Sequence, residues 1–219
     1  MSRRQIERLY AVTPEASDSD WLCERARAVL AGGARVIQYR SKNADLRLRR
    51  TQVARLFELC QARAALLIVN DDVALAREVG ADGVHLGRTD MSLTAARAVL
   101  GNAAVIGVSC YDSLARAQIA QEAGADYVAF GSFFHSSVKP DAVRAPVDLL
   151  RAARAALDVP IVAIGGITVD TGGALIEAGA NALAVVSALF HVPDSLAAAR
   201  AFTDLFEARE QSVCVGSNP

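Results

Sequence analysis

Basic side chains in this 219-residue sequence occur at positions that favour phosphate binding. Arg40, Lys42 and Lys139 each follow a short apolar run, where a predicted strand gives way to a loop. The chain has 23 basic residues, of which only two are lysine, and both lysines lie in these loops. A lysine ammonium meets a phosphate oxygen as a compact charge, and an arginine guanidinium can donate two parallel hydrogen bonds to it. We therefore predict an anion site, with solvated loop lysines as the alternative.

Two aspartates, Asp71 and Asp90, follow neighbouring apolar runs. Two carboxylates with few other protein ligands suit Mg2+, which keeps several waters and is completed by phosphate oxygens. Asp72 is instead predicted to cap the next helix. Helix capping is also the alternative interpretation of Asp71 and Asp90. The pair together, facing the lysines, favours a magnesium site.

Backbone groups after two later runs predict a second, neutral anion site. Gly165-Gly166 and Val186-Ser187 stand at these positions. Amides exposed by glycine, or at the start of a helix, bind a phosphate dianion without a formal countercharge. A glycine pair that only makes a turn is the alternative. A metal-assisted diphosphate site beside a monophosphate site predicts two phosphorylated small-molecule substrates.

This chemistry does not need a strong nucleophile. Cys110 has no histidine close to it in the sequence and is interpreted as packing. His85 lies inside an apolar run and is expected to face the interior of the fold or to orient a loop, not to act as a general base. His135 could contact substrate, and His191 is expected to be peripheral.

Eight short apolar runs alternate with segments of helical period, a pattern that predicts a (β/α)8 barrel whose post-strand loops form the active face. The runs are LYAVT (9–13), RVIQYR (35–40), LLIVN (66–70), GVHLG (83–87), AVIGVS (104–109), DYVAFG (126–131), PIVAIGG (160–166) and ALAVVS (182–187). The clearest helix candidates are 21–30, 46–62, 112–123, 146–157 and 195–208. We expect one domain over 1–219, with the barrel at about 8–208 and a frayed tail at 211–219.

A recurring glycine motif supports this count of runs. AGGARV, VGADGV, AGADYV and AGANAL each lead into an even-numbered run. Glycine there can supply the left-handed residue that ends a helix before the chain enters the sheet. Because the period does not break in mid-chain, an open, doubly wound sheet is disfavoured.

Composition narrows the class of protein. Hydrophobic residues make up 53% and charged residues 21%, which excludes disordered, collagenous and disulfide-scaffold classes. A formal net charge of −1 gives no bulk field for nucleic acid or for a membrane surface. The four cysteines are scattered singly and no apolar run is long enough to span a bilayer, so we expect a soluble, cytoplasmic protein with reduced thiols. A homo-oligomer is left open.

Seven motifs, in this order and spacing, resemble the thiamine phosphate synthase family over nearly the whole chain, from residue 9 to about residue 206. They are QYRSKN (38–43), ND (70–71), GADGVHLGRTDM (80–91), GVS (107–109), DYVAFG with the loop that ends at Lys139, AIGGI (163–167) and AVVSALF (184–190). The family fold is a (β/α)8 barrel. Its reaction joins 4-amino-2-methyl-5-hydroxymethylpyrimidine diphosphate to a thiazole phosphate and releases diphosphate.

The resemblance implies roles for particular residues. Arg40, Lys42, Lys139 and Ser109 would be catalytic, and Asp71 and Asp90 would bind Mg2+. The residues that would bind the pyrimidine diphosphate are Gln38, Arg40, Lys42, Asn70, Ser109 and Lys139, and Tyr39 and Ser41 are two further expected substrate contacts. Those that would bind the thiazole phosphate are Ser136, Ser137, Val138, Gly166, Val186 and Ser187. The implied mechanism is dissociative, with diphosphate leaving before the thiazole nitrogen attacks.

Three places depart from the usual family pattern. Arg88 stands where the family commonly has Gln, and Cys110-Tyr111 where it has Thr-His. Val138 removes a hydroxyl from the loop before Lys139. Two other functions compete with the synthase: a thiazole tautomerase, whose acid-base histidine is expected where Cys110-Tyr111 stands, and a non-catalytic barrel that binds a phosphorylated ligand.

Overall fold

A closed barrel of eight parallel strands, in chain order, forms the centre of the computed structural model, which describes residues 6–135 and 143–216. The barrel predicted from the alternating runs is therefore confirmed. The strands are β1 (Arg8–Val12), β2 (Val36–Tyr39), β3 (Leu66–Asn70), β4 (Gly83–Leu86), β5 (Val105–Tyr111), β6 (Tyr127–Phe130), β7 (Ile161–Ile164) and β8 (Ala182–Val185). Strand β8 pairs with β1, from Ala182 beside Arg8 to Val185 beside Ala11, and this pairing closes the cylinder.

Helices follow the strands and cover the outside of the barrel. Within the described residues they are α1 (Ser19–Ala31), α2 (Leu46–Gln61), α3 (Val73–Val79), α4 (Leu93–Leu100), α5 (Leu114–Glu122), α6 (Asp148–Ala156), α7 (Val169–Glu177), α8 (Ser187–Phe190) and α9 (Ser195–Gly216). No helix in this part of the chain combines the length and apolar character needed to cross a bilayer.

Short polar side chains start several helices, as their sequences predict. The Asp72 carboxylate accepts a hydrogen bond from the Leu75 N–H at 2.9 Å, so its predicted role as the cap of α3 is confirmed. Ser92 caps α4 by accepting from the Ala95 N–H. Because Asp72 and Ser92 occupy the two cap positions, the carboxylates of Asp71 and Asp90 are left for other interactions.

Apolar side chains pack in two main layers because strand residues alternate between the inside and the outside of the barrel. Alternate residues such as Tyr10, Val12 and Val36 belong to the layer inside the cylinder. Their neighbours, such as Leu9 and Ile37, pack between the strands and the helices. All of the five residues named here are at most 2% exposed. Burial on both faces explains why the strands appear in the sequence as nearly continuous apolar runs.

Two helical features extend beyond the helix candidates named from the sequence. The short helix α8 stands between β8 and α9. Helix α9 continues to Gly216, past the predicted end at residue 208. At the other end of the chain, the Arg8 guanidinium lies 2.8 Å from the Glu210 carboxylate, which ties β1 to this last helix.

Candidate functional site

A cavity of about 950 Å3 opens at the carboxyl ends of the strands, where (β/α)8 enzymes have their active sites. Every strand or the loop after it contributes to the lining. Among the predicted site residues, the lining contains Gln38, Arg40, Asn70, Ser109, Gly166, Val186 and Ser187. The barrel therefore brings residues far apart in the sequence to one opening.

Five side chains form a continuous hydrogen-bonded chain across the floor of this cavity. The Gln38 amide donates to the Tyr10 hydroxyl at 2.9 Å, and the Tyr10 and Tyr127 hydroxyls lie 2.8 Å apart. The Tyr127 hydroxyl is 3.0 Å from His85 Nδ1, and His85 Nε2 is 2.8 Å from Ser109 Oγ. The His85 ring also stacks on the Tyr127 ring, with centroids 5.5 Å apart.

Burial keeps the two tyrosine hydroxyls of this hydrogen-bonded chain protonated. It raises the pKa of both Tyr10 and Tyr127 above the ordinary value, so both hydroxyls keep their hydrogen. The order of donors along the chain then depends on which ring nitrogen of His85 carries hydrogen. In the tautomer with hydrogen on Nε2, each group from Gln38 to His85 donates to the next, and Ser109 accepts from His85 and retains its own hydroxyl hydrogen for a ligand. His85 thus faces the barrel interior and orients Ser109, in line with our expectation for it.

Gly107 makes room for this arrangement. A Cβ atom at Gly107 would lie 1.9 Å from Cζ of the Tyr127 ring, far inside van der Waals contact. The glycine of the GVS motif therefore permits the Tyr127 ring to reach His85. This packing explains the motif without any contact between Gly107 and a ligand.

The loop after β2 carries the predicted cations, and Glu15 holds its backbone. The Glu15 carboxylate accepts hydrogen bonds from the Lys42 N–H at 2.7 Å, from the Ser41 hydroxyl at 3.0 Å and from the Asn43 N–H at 3.4 Å. Burial acts to raise the pKa of Glu15, but these hydrogen bonds outweigh it and the pKa lies below its usual value. The ionised carboxylate thus fixes the loop that presents Arg40 and Lys42.

The two predicted metal-binding aspartates lie together. Burial and a side-chain hydrogen bond with Asp90 raise the pKa of Asp71 to about 6, while the charge of Lys42 acts in the opposite direction. Asp90 also accepts from the Gly87 N–H at 2.6 Å. Two carboxylates within hydrogen-bonding distance of each other repel unless a proton or a cation lies between them. The pair therefore fits a divalent cation.

The backbone around Asp71 is strained. Its φ of +64° lies in the left-handed region, and the Asp72 N–H donates to the Asn70 carbonyl at 2.8 Å, which closes a tight γ-turn around Asp71. Asp and Asn tolerate this region better than most residues. The Asp71 N–H donates to the His85 carbonyl at 2.8 Å, so the turn is also attached to β4.

Within the described residues, no group of three or more His, Cys, Asp or Glu side chains comes together as a metal site. A cation between Asp71 and Asp90 would therefore take most of its ligands from water or from a bound phosphate. This is the coordination that Mg2+ commonly adopts beside phosphorylated substrates.

Glycines form the neutral side of the cavity. Gly165 and Gly166 have φ values of +107° and +64°, and a Cβ atom at Gly165 would lie 2.1 Å from Ser132 Oγ. The Phe134 N–H donates to the Gly165 carbonyl at 2.9 Å, so the loop after β6 packs directly on this turn. The two glycines thus provide both a turn and a close approach of two loops. Ser187, at the start of α8, lies in the same lining.

The structure contradicts one predicted substrate contact. The Tyr39 side chain packs between the barrel and α2, and its hydroxyl donates to Gln52 Oε1 at 2.8 Å, so the prediction that Tyr39 binds substrate is wrong. Tyr39 points outward because it follows the inward-facing Gln38 on the same strand.

His191, expected to be peripheral, lies in the cavity lining. Burial raises the pKa of the Cys110 thiol to about 12, which agrees with its interpretation as packing.

Four predicted residues lie outside the described part of the chain: Ser136, Ser137, Val138 and Lys139. Ser41 and Lys42 belong to the loop held by Glu15 and are absent from the described lining of the cavity. Three important residues were missed by the sequence analysis: Tyr10, Glu15 and Tyr127. The alternation of inward and outward residues along β1 and β6 could have indicated the two tyrosines.

Comparisons with known proteins agree with this geometry. The sequence model of a family described as thiamine monophosphate synthase matches residues 9–189. The chain is 56% identical to the thiamine-phosphate synthase of Azoarcus sp. over 202 residues, which is 92% of this chain and 98% of that protein. It is 55% identical to the thiamine-phosphate synthase of Thioalkalivibrio sulfidiphilus over 93% of this chain and 97% of that protein.

A solved structure is also similar. The thiamine phosphate pyrophosphorylase from Pyrococcus furiosus superposes with a TM-score of 0.84 at 34% sequence identity. The alignment covers 94% of this chain and 98% of that protein. The likeness therefore extends over most of the chain.

The neighbours Asp71 and Asp72 should respond differently to substitution. Asp72→Ala removes the cap of α3 and the 2.7 Å ion pair with Arg49, so the free energy of unfolding should fall by about 1–2 kcal/mol. Asp71→Asn keeps a residue that tolerates positive φ and removes the repulsion with Asp90, so stability should be unchanged or slightly higher. Urea unfolding measures both. Equal destabilisation by the two variants would show that Asp71 supports the fold.

Gly107→Ala should destabilise the barrel because the new methyl group overlaps the Tyr127 ring. Overpacking of this kind costs roughly 1–3 kcal/mol. Gly173→Ala is the matched control: it lies in α7 with no atom within 4 Å of the new Cβ, so it should be neutral or stabilising. Urea unfolding of both variants tests the difference, and equal stability would contradict the packing role assigned to Gly107.

Proposed function

The chain belongs to the thiamine monophosphate synthase family, and we propose that it joins 4-amino-2-methyl-5-hydroxymethylpyrimidine diphosphate to 4-methyl-5-(2-phosphoethyl)thiazole, or to its carboxylated form, to give thiamine phosphate and diphosphate. The observation that carries this proposal is the asymmetry of the cavity. Arg40 after β2, Asn70 at the end of β3 and Arg88 after β4 line one side of the opening, and the backbone of Gly165–Gly166 after β7 and of Val186–Ser187 after β8 lines the other. A diphosphate and a monophosphate need these two environments.

The charged side is suited to the pyrimidine diphosphate. The Gln38 side-chain amide donates to Tyr10, and among the described residues no group donates to its Oε1, which could therefore accept from an amino group of the substrate. Ser109 offers a hydroxyl hydrogen, and Asn70 and Arg40 lie in the same lining. In this proposal Arg40, Lys42 and Lys139 bind the diphosphate oxygens, where charge-assisted hydrogen bonds are strongest.

Asp71 and Asp90 would hold Mg2+ on this side. The raised pKa of Asp71 beside Asp90 supports the assignment, because a cation between the two carboxylates would relieve their repulsion. When bound there, Mg2+ would stabilise the negative charge that develops on the departing diphosphate.

The neutral side is suited to the thiazole phosphate. Gly165 and Gly166 expose peptide groups between β7 and α7, and Val186 and Ser187 begin α8. The first N–H groups of a helix have no partner within the helix, so they can donate to a phosphate. The predicted contacts from Ser136, Ser137 and Val138 remain part of the proposal.

The proposed reaction is a dissociative substitution. The bond between the pyrimidine methylene carbon and the diphosphate oxygen breaks, and its electron pair leaves with the diphosphate. The electron-rich aminopyrimidine stabilises the resulting cation, and the thiazole nitrogen then forms the new carbon–nitrogen bond. The residues of the chain therefore act by stabilising a leaving anion and by aligning two substrates, since no covalent step on the protein is needed.

A cytoplasmic location belongs to the same proposal. The described cysteines Cys23, Cys60 and Cys110 are all free thiols, as is usual for a protein of a reducing compartment. Formation of a homo-oligomer stays a prediction.

A coupling assay tests the function directly. With both substrates and Mg2+ present, the protein should form thiamine phosphate and release diphosphate in equal amounts, and chelation of Mg2+ with EDTA should abolish both. Thiamine phosphate measured by chromatography is the readout. Ligand binding without product would contradict the synthase and favour a binding protein, and diphosphate release without the thiazole substrate would show hydrolysis in place of coupling. Conversion of the thiazole phosphate alone would favour a tautomerase.

Substitution of the metal-binding pair should affect turnover and not folding. Asp71→Asn and Asp90→Asn should each lower kcat by about a hundredfold or more, because stabilisation of the leaving charge is lost. Asp72→Ala is the control that should retain kcat in spite of its lower stability. Initial rates over a range of Mg2+ concentrations provide the measurement. Retention of normal rates by both Asn variants would exclude these residues as metal ligands.

Glu15→Gln should loosen the loop that presents Arg40 and Lys42. The amide cannot accept from all three donors as the carboxylate does, so KM for the pyrimidine diphosphate should rise by about tenfold. KM for the thiazole phosphate should stay constant. The control is Glu24→Gln, which makes the same change in charge on an exposed position of α1. Equal kinetics in the two variants would mean that Glu15 does not position the loop.

A further inference from the structure

Two guanidinium groups lie over one aromatic ring at the edge of the cavity. The Arg88 Cζ atom is 4.9 Å from the centroid of the Tyr111 ring, and the Arg116 Cζ atom is 5.8 Å from it. The backbone N–H of Arg88 also donates to the Tyr111 hydroxyl at 3.3 Å. Cation–π contacts of this kind hold a guanidinium in place while leaving its N–H groups available.

The Tyr111 ring is itself fixed by the backbone of β5. The pairing of β5 with β6 shifts register between Ser109 and Tyr111, and Tyr111 has a φ of +56°. The Tyr111 carbonyl accepts from the Gly131 N–H at 2.9 Å, and Arg116 Nε donates to the Ser109 carbonyl at 2.8 Å. Such a bulge changes the direction of a side chain at the end of a strand. Here it directs Tyr111 toward the loop after β4.

That loop also carries Asp90. The Gly87 N–H donates to the Asp90 carboxylate, so residues 87–90 form a compact turn in which Arg88 and Asp90 are two positions apart. Arg88 and Tyr111 both lie in the cavity lining. Among residues 6–135 and 143–211, no carboxylate pairs with the Arg88 guanidinium. With respect to these described residues, its charge is available to an anion in the cavity.

Arg88 and Tyr111 are two of the places where this chain departs from the usual family pattern, and the structure brings the two departures into contact. A Gln and a His at these positions could not form the same cation–π pair. The contact indicates that the two side chains act as a unit.

We propose that Arg88, positioned by Tyr111, binds the diphosphate group of the pyrimidine substrate from the loop after β4, in addition to Arg40 and Lys42 from the loop after β2. This inference rests on the proposed function. A further cation beside the anion binds substrate and leaving group alike, so Arg88 increases affinity for the diphosphate more than it increases kcat.

Removal of the guanidinium tests the proposal. Arg88→Gln should raise KM for the pyrimidine diphosphate and the inhibition constant of inorganic diphosphate by about tenfold each, as expected for one charge-assisted contact. KM for the thiazole phosphate should not change. Arg63→Gln is the control, since it removes the same charge from an exposed position near the carboxyl end of α2, at the opposite face of the barrel. Arg88→Gln kinetics equal to those of Arg63→Gln would overturn the proposal.

Tyr111 is tested as a positioning residue. Tyr111→Phe keeps the ring and should behave almost as the unsubstituted protein does, whereas Tyr111→Leu removes it and should raise the same two constants. If the residues act as a unit, the Arg88→Gln/Tyr111→Leu double variant should be no worse than Arg88→Gln alone. Full additivity of the two effects would show that Tyr111 does not act through Arg88.

Direct binding separates this inference from the proposed function. Calorimetric titration with inorganic diphosphate and Mg2+ requires no coupling activity, and Arg88→Gln should weaken the binding by the same factor. If the protein binds diphosphate through Arg88 but forms no thiamine phosphate, the proposed function fails and the anion site stands. If it couples the substrates and Arg88→Gln binds diphosphate normally, the function stands and the role of Arg88 is overturned.

Discussion

Buried polar groups inside the barrel must all find partners, and this requirement organises the floor of the cavity. Gln38, Tyr10, Tyr127, His85 and Ser109 meet it by bonding to one another in a single line. In a low-dielectric interior such a chain is rigid when every member is satisfied, and the loss of one member leaves its neighbours without partners. The two ends of the line, Gln38 and Ser109, also line the cavity. The same hydrogen bonds that stabilise the barrel therefore determine where the floor of the cavity can donate or accept a hydrogen bond.

Above this floor, the basic and the acidic side chains belong to different loops. The cations after β2 are held by Glu15, whose carboxylate bonds to the backbone of their loop. The acidic pair after β3 and β4 is held by a strained turn at Asp71 and by the bond from Gly87 to Asp90. In both cases the charged group is fixed by backbone interactions, so little reorganisation would be needed for an anion or a cation to bind. Under the proposed function, this preorganisation would stabilise the anionic leaving group.

Much of this could be predicted because parallel strands that are buried on both faces appear as apolar runs, and because strand ends meet at one edge of a barrel. The pairing of Asp71 with Asp90 and the cap at Asp72 followed from those two facts. The error at Tyr39 has the same origin as these successes. A motif such as QYRSKN contains residues that point to both faces of the strand, and only the alternation within β2 separates Gln38 from Tyr39.

The order of residues alone establishes the eight-fold alternation, the resemblance to a family and the types of group available to bind phosphates. These are local properties, since they depend on neighbours a few positions apart. Contacts between distant segments are different in kind. The Tyr10 and Tyr127 hydroxyls are 117 positions apart in the chain, and Arg88 and Tyr111 belong to separate strand–loop units. Their pairing depends on the tilt and register of the strands around a closed cylinder, which become defined only when the whole barrel has folded.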